Sequence, residues 1–147
     1  NAVVLEDAAS LLKLAGTNTV SGPVSLNNGE ILVYESTSLN SDLSLGGPSS
    51  IFLADGKTLT YGGAALSLGA NTLRISGSGT LSNMNALVLS EAESILTLEG
   101  TNTISGPVSL NAGVIDVDES STLNSDLTLG GTASISLAEA RFSSACR

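Results

Sequence analysis

Several residue types on which catalytic sites depend are missing from this chain, or nearly so. There is no His, the side chain most often used for proton transfer near neutral pH. No arrangement of Ser or Cys indicates an activated nucleophile. The single Cys, Cys146, has no second Cys with which to form a disulfide within the chain. We therefore expect a non-catalytic protein that binds no cofactor and no metal ion.

Basic residues are also scarce, and this excludes further classes of function. Five Lys and Arg residues stand against 14 Asp and Glu residues, which gives a formal net charge of −9. Phosphate contacts need clustered cations, so we expect no nucleic-acid partner and no attraction to an anionic membrane surface. No apolar run approaches the roughly 18 residues that a membrane-spanning helix needs, so we expect no direct membrane insertion.

Aromatic residues make up only 3% of the chain, and Trp is absent. The apolar content is therefore Leu, Val, Ile and Ala, whose side chains suit thin, regular layers better than a globule built around large rings. Charged residues total 13%, so neutral Ser, Thr and Asn must cover much of the exposed surface.

An internal duplication is the clearest feature that the sequence does contain. The segment GTNTVSGPVSL at Gly16–Leu26 returns as GTNTISGPVSL at Gly100–Leu110. When residues 2–56 are set against residues 86–140, 35 of 55 positions are identical. Such a long period has to be examined for shorter units before a fold is assigned.

The duplication subdivides into seven units of 20 to 22 residues, each with the same three apolar segments. The units span 2–22, 23–42, 43–63, 64–85, 86–106, 107–126 and 127–147. In the second unit the first two segments are the pairs Val24/Leu26 and Ile31/Val33, and the third is the single residue Leu39. Alternate side chains of a strand point to the same face, so each segment predicts a short strand. The Gly and Asn residues between them are typical of tight corners.

Three short strands and three corners in about 21 residues predict one coil of a parallel β-solenoid. No single pair of these strands can bury its apolar face alone, whereas stacked coils align the apolar residues into continuous inner columns. We predict an all-β domain over residues 1–140 with about seven coils and three strands per coil. An antiparallel sandwich is the main alternative, and near-identical repeats favour the solenoid. Residues 141–147 lose the pattern and are expected to form an irregular tail or cap.

The stretch LEGTNTISGPVSLNAGVIDV, from Leu98 to Val117, resembles the β-strand repeats of autotransporter and adhesin passenger domains of Gram-negative bacteria. The similarity lies in a Gly-x-Asn-Thr-x-x-Gly corner, a strand, an Asn/Ala-Gly turn and another strand, and residues 16–33 match in the same way. The resemblance implies a right-handed parallel β-helix displayed at the cell surface, in many cases for adhesion. Pro23 and Pro107 depart from the pattern, although a strand start tolerates proline.

The third strand of each coil presents hydroxyl groups outwards on both sides of its inward residue. One predicted ladder is Thr19, Ser38, Thr58, Thr80, Thr103 and Thr122. Regular Thr arrays on a solenoid can match the spacing of water molecules in ice, so an ice-binding face is an alternative function. The simpler interpretation is that Thr and Ser are good exposed strand residues and form ladders with themselves.

The second strand presents a less uniform outer face. Its predicted column of middle positions is Lys13, Leu32, Phe52, Arg74, Thr97, Asp116 and Ser136. Leu32, Tyr34 and Phe52 would lie together on adjacent coils as an exposed apolar patch that could contact a partner or another copy.

The densest acidic cluster is Asp116, Asp118 and Glu119. It lacks the turning loop and oxygen count of a calcium site, and we interpret it as a solvated face. A carboxylate pair is also used in glycoside hydrolysis, which leaves a carbohydrate-binding or carbohydrate-active β-helix as a further alternative.

The expected function is structural: a repeat segment of an extracellular or bacterial cell-surface protein used for display, adhesion or fibre formation. A solenoid has two open strand edges, so coil seven of one copy could pair with coil one of the next. The expected partners are the chain itself, by end-to-end or lateral assembly, or a host or abiotic surface. Because the chain begins at Asn1 without Met, we expect a processed form or an excised piece of a longer protein.

Overall fold

The computed structural model describes residues 1–82 and 85–138, which form a parallel β-solenoid of about seven coils. Every strand pair in this part of the chain is parallel, and none of these residues is helical. The predicted all-β solenoid with three faces is confirmed. The predicted tail at 141–147, with Cys146, lies outside the described residues.

The strands stack into three faces. The first face contains β1 (Val3–Leu5), β4 (Val24–Leu26), β7 (Leu43–Leu45), β10 (Leu66–Ser67) and β13 (Leu87–Leu89). The second contains β2 (Leu11–Leu14), β5 (Glu30–Val33), β8 (Ser49–Leu53), β11 (Thr72–Gly77) and β14 (Ile95–Glu99). The third contains β3 (Thr19–Val20), β6 (Thr37–Leu39), β9 (Thr58–Tyr61), β12 (Thr80–Ser82), β15 (Thr103–Ser105) and β17 (Thr122–Leu123).

Two longer strands, β16 (Val108–Val117) and β18 (Leu127–Leu137), run through the corner between the first and second faces. They join strands of these two faces into one nine-stranded sheet, with the order β10-β13-β16-β14-β11-β8-β5-β2 and β18 paired to β16. The remaining sheets are β1-β4-β7 and β17-β15-β12-β9-β6-β3.

The core is a set of aliphatic columns along the solenoid axis. On the first face Val3, Val24 and Leu43 are register partners, and the pairs of the later coils stack likewise. Leu26, Leu68 and Leu89 are completely buried. Full burial of such a side chain stabilises the folded state by about 1.5–3 kcal/mol, so stacking supplies the driving force that a lone coil lacks.

The register of the other two faces differs from the sequence alignment by two residues at coil three. Ile51 pairs with Ile75 rather than with Leu73. On the third face Leu39 pairs with Tyr61 rather than with Leu59. A shift of two keeps every inward residue inward, so the core survives it.

An enlarged corner in coil three explains both shifts. Ile51 and Leu59 are eight positions apart, whereas their partners in coil four, Ile75 and Leu81, are six apart. The two additional residues form a turn at 54–57, closed by a hydrogen bond from the Lys57 N–H to the Ala54 carbonyl at 3.0 Å. Gly56 in this turn has φ +64°, a left-handed conformation that glycine adopts without steric cost.

Side chains complete the first face between coils three and four, where the β1-β4-β7 sheet ends. The buried Tyr61 hydroxyl accepts a hydrogen bond from the Leu43 N–H at 3.1 Å. The Asp42 carboxylate accepts one from the Ala64 N–H at 2.9 Å, and the Asn71 amide donates to the Leu45 carbonyl at 3.3 Å. We call this junction the seam.

Candidate functional site

The predicted hydroxyl ladder is split by the register shift of the third face. Thr58, Thr80, Thr103 and Thr122 are successive register partners and form one column. Ser38, however, pairs with Thr60, so Thr19 and Ser38 belong to the neighbouring column and not to the predicted one. The six-residue ladder expected from the sequence is therefore wrong in its first two members, because the alignment did not contain the enlarged corner of coil three.

The two observed columns form a polar strip on the third face. The second column runs through Thr19, Ser38, Thr60, Ser82 and Ser105. All the members of both columns are at least partly exposed. The strip offers neutral hydroxyl donors and acceptors at the coil spacing of about 4.8 Å, and ice binding by it stays a prediction.

The predicted apolar patch on the second face is assembled as expected, and we call Leu32, Tyr34 and Phe52 the aromatic patch. Leu32 and Phe52 are register partners on adjacent coils. The Tyr34 and Phe52 ring centroids lie 5.8 Å apart at 53°, within the range of favourable tilted pairs. The Lys13 ammonium lies 5.0 Å from the centre of the Tyr34 ring, a cation–π distance.

A groove of about 300 Å³ lies beside the aromatic patch on the same face. A row of three register partners, Glu30, Ser50 and Arg74, crosses it, and Asn28 and Thr72 contribute to its lining. The sequence alignment missed this row because it placed Arg74 next to Phe52. Its true neighbour is Ser50, two positions earlier on β8.

In the part of the chain that the structure describes, two ion pairs connect adjacent coils on the outer surface. The Arg74 guanidinium donates a hydrogen bond to the Glu99 carboxylate. This bond raises the pKa of Arg74 and lowers the pKa of Glu99, and partial burial opposes both changes. The Lys57 ammonium lies 2.7 Å from Glu35. The side chains of both pairs are substantially exposed, so we expect each pair to contribute less than about 1 kcal/mol.

The acidic cluster is spread along the outer surface. Asp116 lies between its register partners Thr97 and Ser136, and Asp118 and Glu119 are exposed at the following corner. Within residues 1–82 and 85–138, no three Cys, Asp or Glu side chains form a group that could hold a metal ion. The same part of the chain contains no helix long and apolar enough to cross a membrane.

Inward residues at both ends of the solenoid are less covered than their duplicates in the middle. In coil seven, Ile135 is 42% exposed and Leu137 is 70% exposed, whereas their duplicates in coil three, Ile51 and Leu53, are fully buried. In coil one, Leu12 is only partly buried, whereas its duplicate in coil five, Leu96, is fully buried. The same local sequence is thus buried wherever coils lie on both sides of it.

Comparisons with protein-family models, with curated proteins and with solved structures give no match to this chain. The likeness to autotransporter and adhesin repeats is therefore a resemblance of sequence pattern, to which the structure adds the parallel β-solenoid fold.

Proposed function

We propose that this chain is a structural, non-catalytic rod segment of an extracellular or bacterial cell-surface protein, which pairs through its end coils with further coils of the same kind. The observation that carries the proposal is the contrast in burial between the end coils and their duplicates. The second-face strands of coils three and five, β8 and β14, are each paired on both edges, so the sequences that recur in coils seven and one are suited to the same pairing.

The C-terminal edge has the chemistry that such pairing needs. β18 pairs with β16 along nine registered positions. No strand within residues 1–82 and 85–138 pairs with its other edge, and an unpaired edge presents backbone N–H and C=O groups. Ile135 and Leu137 are inward residues of β18, and much of their apolar surface is in contact with water. A further coil would bury them as Ile51 and Leu53 are buried in coil three.

The sides of the rod support a role in display. They combine the hydroxyl strip of the third face with few charges and a formal net charge of −9. Repetition of the same groups along the axis favours multivalent contact with a host or abiotic surface over one deep pocket. The sequence pattern shared with surface-exposed adhesin repeats points to the same compartment.

Self-association over a concentration range tests the proposal. Sedimentation velocity should show growth into end-to-end oligomers, and negative-stain microscopy should show rods whose length increases in steps of roughly 30–35 Å, the length of seven coils. The double substitution Ile135→Lys and Leu137→Lys should abolish growth, since buried unpaired ammonium groups are costly.

Ser136→Lys is the matched control, because Ser136 lies on the same strand but pairs with the outward residue Asp116. Circular dichroism should report the same β content for all variants. A wild-type chain that stays monomeric at every concentration would contradict the proposal, as would equal assembly of the double variant.

A further inference from the structure

We propose that the groove on the second face, together with the aromatic patch, is a binding site for a neutral oligosaccharide. This inference does not depend on the rod function, since it concerns one side of coils two to four and not the ends.

The groove and the patch form one continuous surface. Glu30, Ser50 and Arg74 make a polar row across coils two, three and four. Leu32 and Phe52 are the next outward residues on the same strands and make an apolar row beside it. Outward residues two positions apart are separated by about 6.6 Å along a strand, so one sugar ring can contact both rows.

The lining of the groove offers the hydrogen-bonding groups that sugar hydroxyls use. Glu30 provides a carboxylate that accepts from two hydroxyls, and Ser50 and Thr72 provide groups that both donate and accept. Arg74 donates a hydrogen bond to Glu99, and a guanidinium has five N–H donors, so donors remain for a ligand.

The apolar row offers a platform for the C–H face of a sugar. Phe52 is half-buried and packs at a tilt against the Tyr34 ring, and the Lys13 ammonium lies 5.0 Å from the centre of that ring. Two side chains of the platform therefore have protein neighbours before any ligand arrives. An aromatic and aliphatic surface next to hydroxyl-binding groups fits a molecule that is apolar on one face and polar around its rim.

Other ligand classes fit this surface less well. A peptide strand would need free backbone N–H and C=O groups, but strands β5, β8 and β11 are paired on both sides here. Nucleic acids and acidic sugars would meet Glu30, Glu99 and a formal net charge of −9. The chemistry therefore selects an uncharged saccharide.

Titration of ¹⁵N-labelled protein with cellohexaose, laminarihexaose, maltohexaose and mannohexaose, followed by NMR, tests the inference. We expect at least one of the four to shift amide signals of coils two to four at micromolar to millimolar concentration. Glu30→Gln should weaken that binding by about tenfold or more, the equivalent of one charge-assisted hydrogen bond. Phe52→Ala should weaken it to a similar extent, because the apolar surface under the sugar ring is lost.

Asp116→Ala is the matched control, because Asp116 is an outward acid of the same face but lies beyond the groove lining, on coil six. It should leave the affinity unchanged. The inference is overturned if none of the four sugars shifts any signal, if the shifts lie outside coils two to four, or if all three variants bind alike. Tighter binding of polygalacturonate than of every neutral sugar would overturn it as well.

Discussion

Replacing Tyr61 by Phe should loosen the seam between coils three and four. The Tyr61 side chain is 2% exposed, and its hydroxyl accepts the hydrogen bond of the Leu43 N–H at 3.1 Å. Among the described residues, the first face has no strand partner at this position on the side of coil four, so a side chain accepts the hydrogen bond that a backbone carbonyl accepts elsewhere on this face. Phe retains the ring and its packing but leaves the Leu43 N–H without an acceptor.

The expected cost follows from the burial of that donor. A buried polar group left unsatisfied destabilises the folded state by about 1–3 kcal/mol. Because repeat arrays can open locally, a single global unfolding energy is a poor measure. Hydrogen exchange of individual amides is better suited, and the Leu43 amide should exchange about 5- to 150-fold faster, the factor that corresponds to that energy.

Tyr34→Phe is the matched control, because Tyr34 is 42% exposed on the outer face and its hydroxyl can bond to water. Amides of coils six and seven should be unchanged in both variants. The reasoning is refuted if the Leu43 amide exchanges at the wild-type rate in Tyr61→Phe. It is also refuted if Tyr34→Phe accelerates that amide equally, since the effect would then not come from the buried hydroxyl.

Three further predictions concern pH, glycine and charge. Burial raises the pKa of Tyr61, so above about pH 10 the unfolded chain loses the phenolic proton before the folded chain does. The free energy of unfolding should therefore fall as the pH rises through this range. Urea titrations at several alkaline pH values should show this fall, and the fall should be smaller in Tyr61→Phe. Gly77→Ala places a methyl group against a backbone carbonyl of the adjacent coil, whereas Gly56→Ala adds only left-handed backbone strain of about 1–2 kcal/mol. Gly77→Ala should therefore lower the urea midpoint far more than Gly56→Ala. Equal midpoints for the two variants would contradict close stacking of the coils at Gly77. Glu35→Gln breaks the exposed pair with Lys57 and should change the free energy of unfolding by less than about 1 kcal/mol. If chemical denaturation shows a larger decrease in that free energy, the pair is shielded from solvent.

The fold could be predicted from the sequence because its determinants are local and repeated. Pairs such as Val24/Leu26 and Leu87/Leu89 alternate with period two and are inward and buried in the structure. The 84-residue duplication indicated repeated pairing of equivalent strands, and the parallel pairs β1–β4 and β13–β16, whose paired segments lie 84 positions apart, confirm it. Seven coils and three faces followed without knowledge of any long-range contact.

The register could not be predicted from the same pattern, because a two-residue slip satisfies the alternation equally well. Thr37 and Ser49 are buried at inward positions, where they are the register partners of Leu59 and Leu73. The sequence alignment had paired Leu59 and Leu73 with apolar residues instead. The Thr37 hydroxyl donates to the Glu35 carbonyl. The Ser49 hydroxyl lies within hydrogen-bond distance of two carbonyls, those of Leu26 and Gly47, and can donate its one proton to either. The one local signal of the slip was the Asp55-Gly56 turn dipeptide of coil three.

The candidate site was therefore only half predictable. Leu32, Tyr34 and Phe52 lie within one stretch of unshifted register, so the aromatic patch was found from the sequence. The groove joins Glu30 and Ser50 to Arg74 across the shift, and no reading of single coils could bring them together. The contrast between the end coils and their duplicates depends on which coils have neighbours on both sides, and the nearly identical sequences do not show it.

The enlarged corner of coil three has a consequence for how the chain finds its fold. Coils that are 84 positions apart are close to interchangeable, so a folding chain, or two neighbouring chains, can exchange one for the other with little loss of apolar burial. Asp55 and Gly56 of the enlarged turn are replaced by Glu139 and Ala140 in the duplicate. Because Asp-Gly favours a tight turn and Glu-Ala does not, we expect this difference in sequence to distinguish coil three from its copy and to disfavour swapped arrangements.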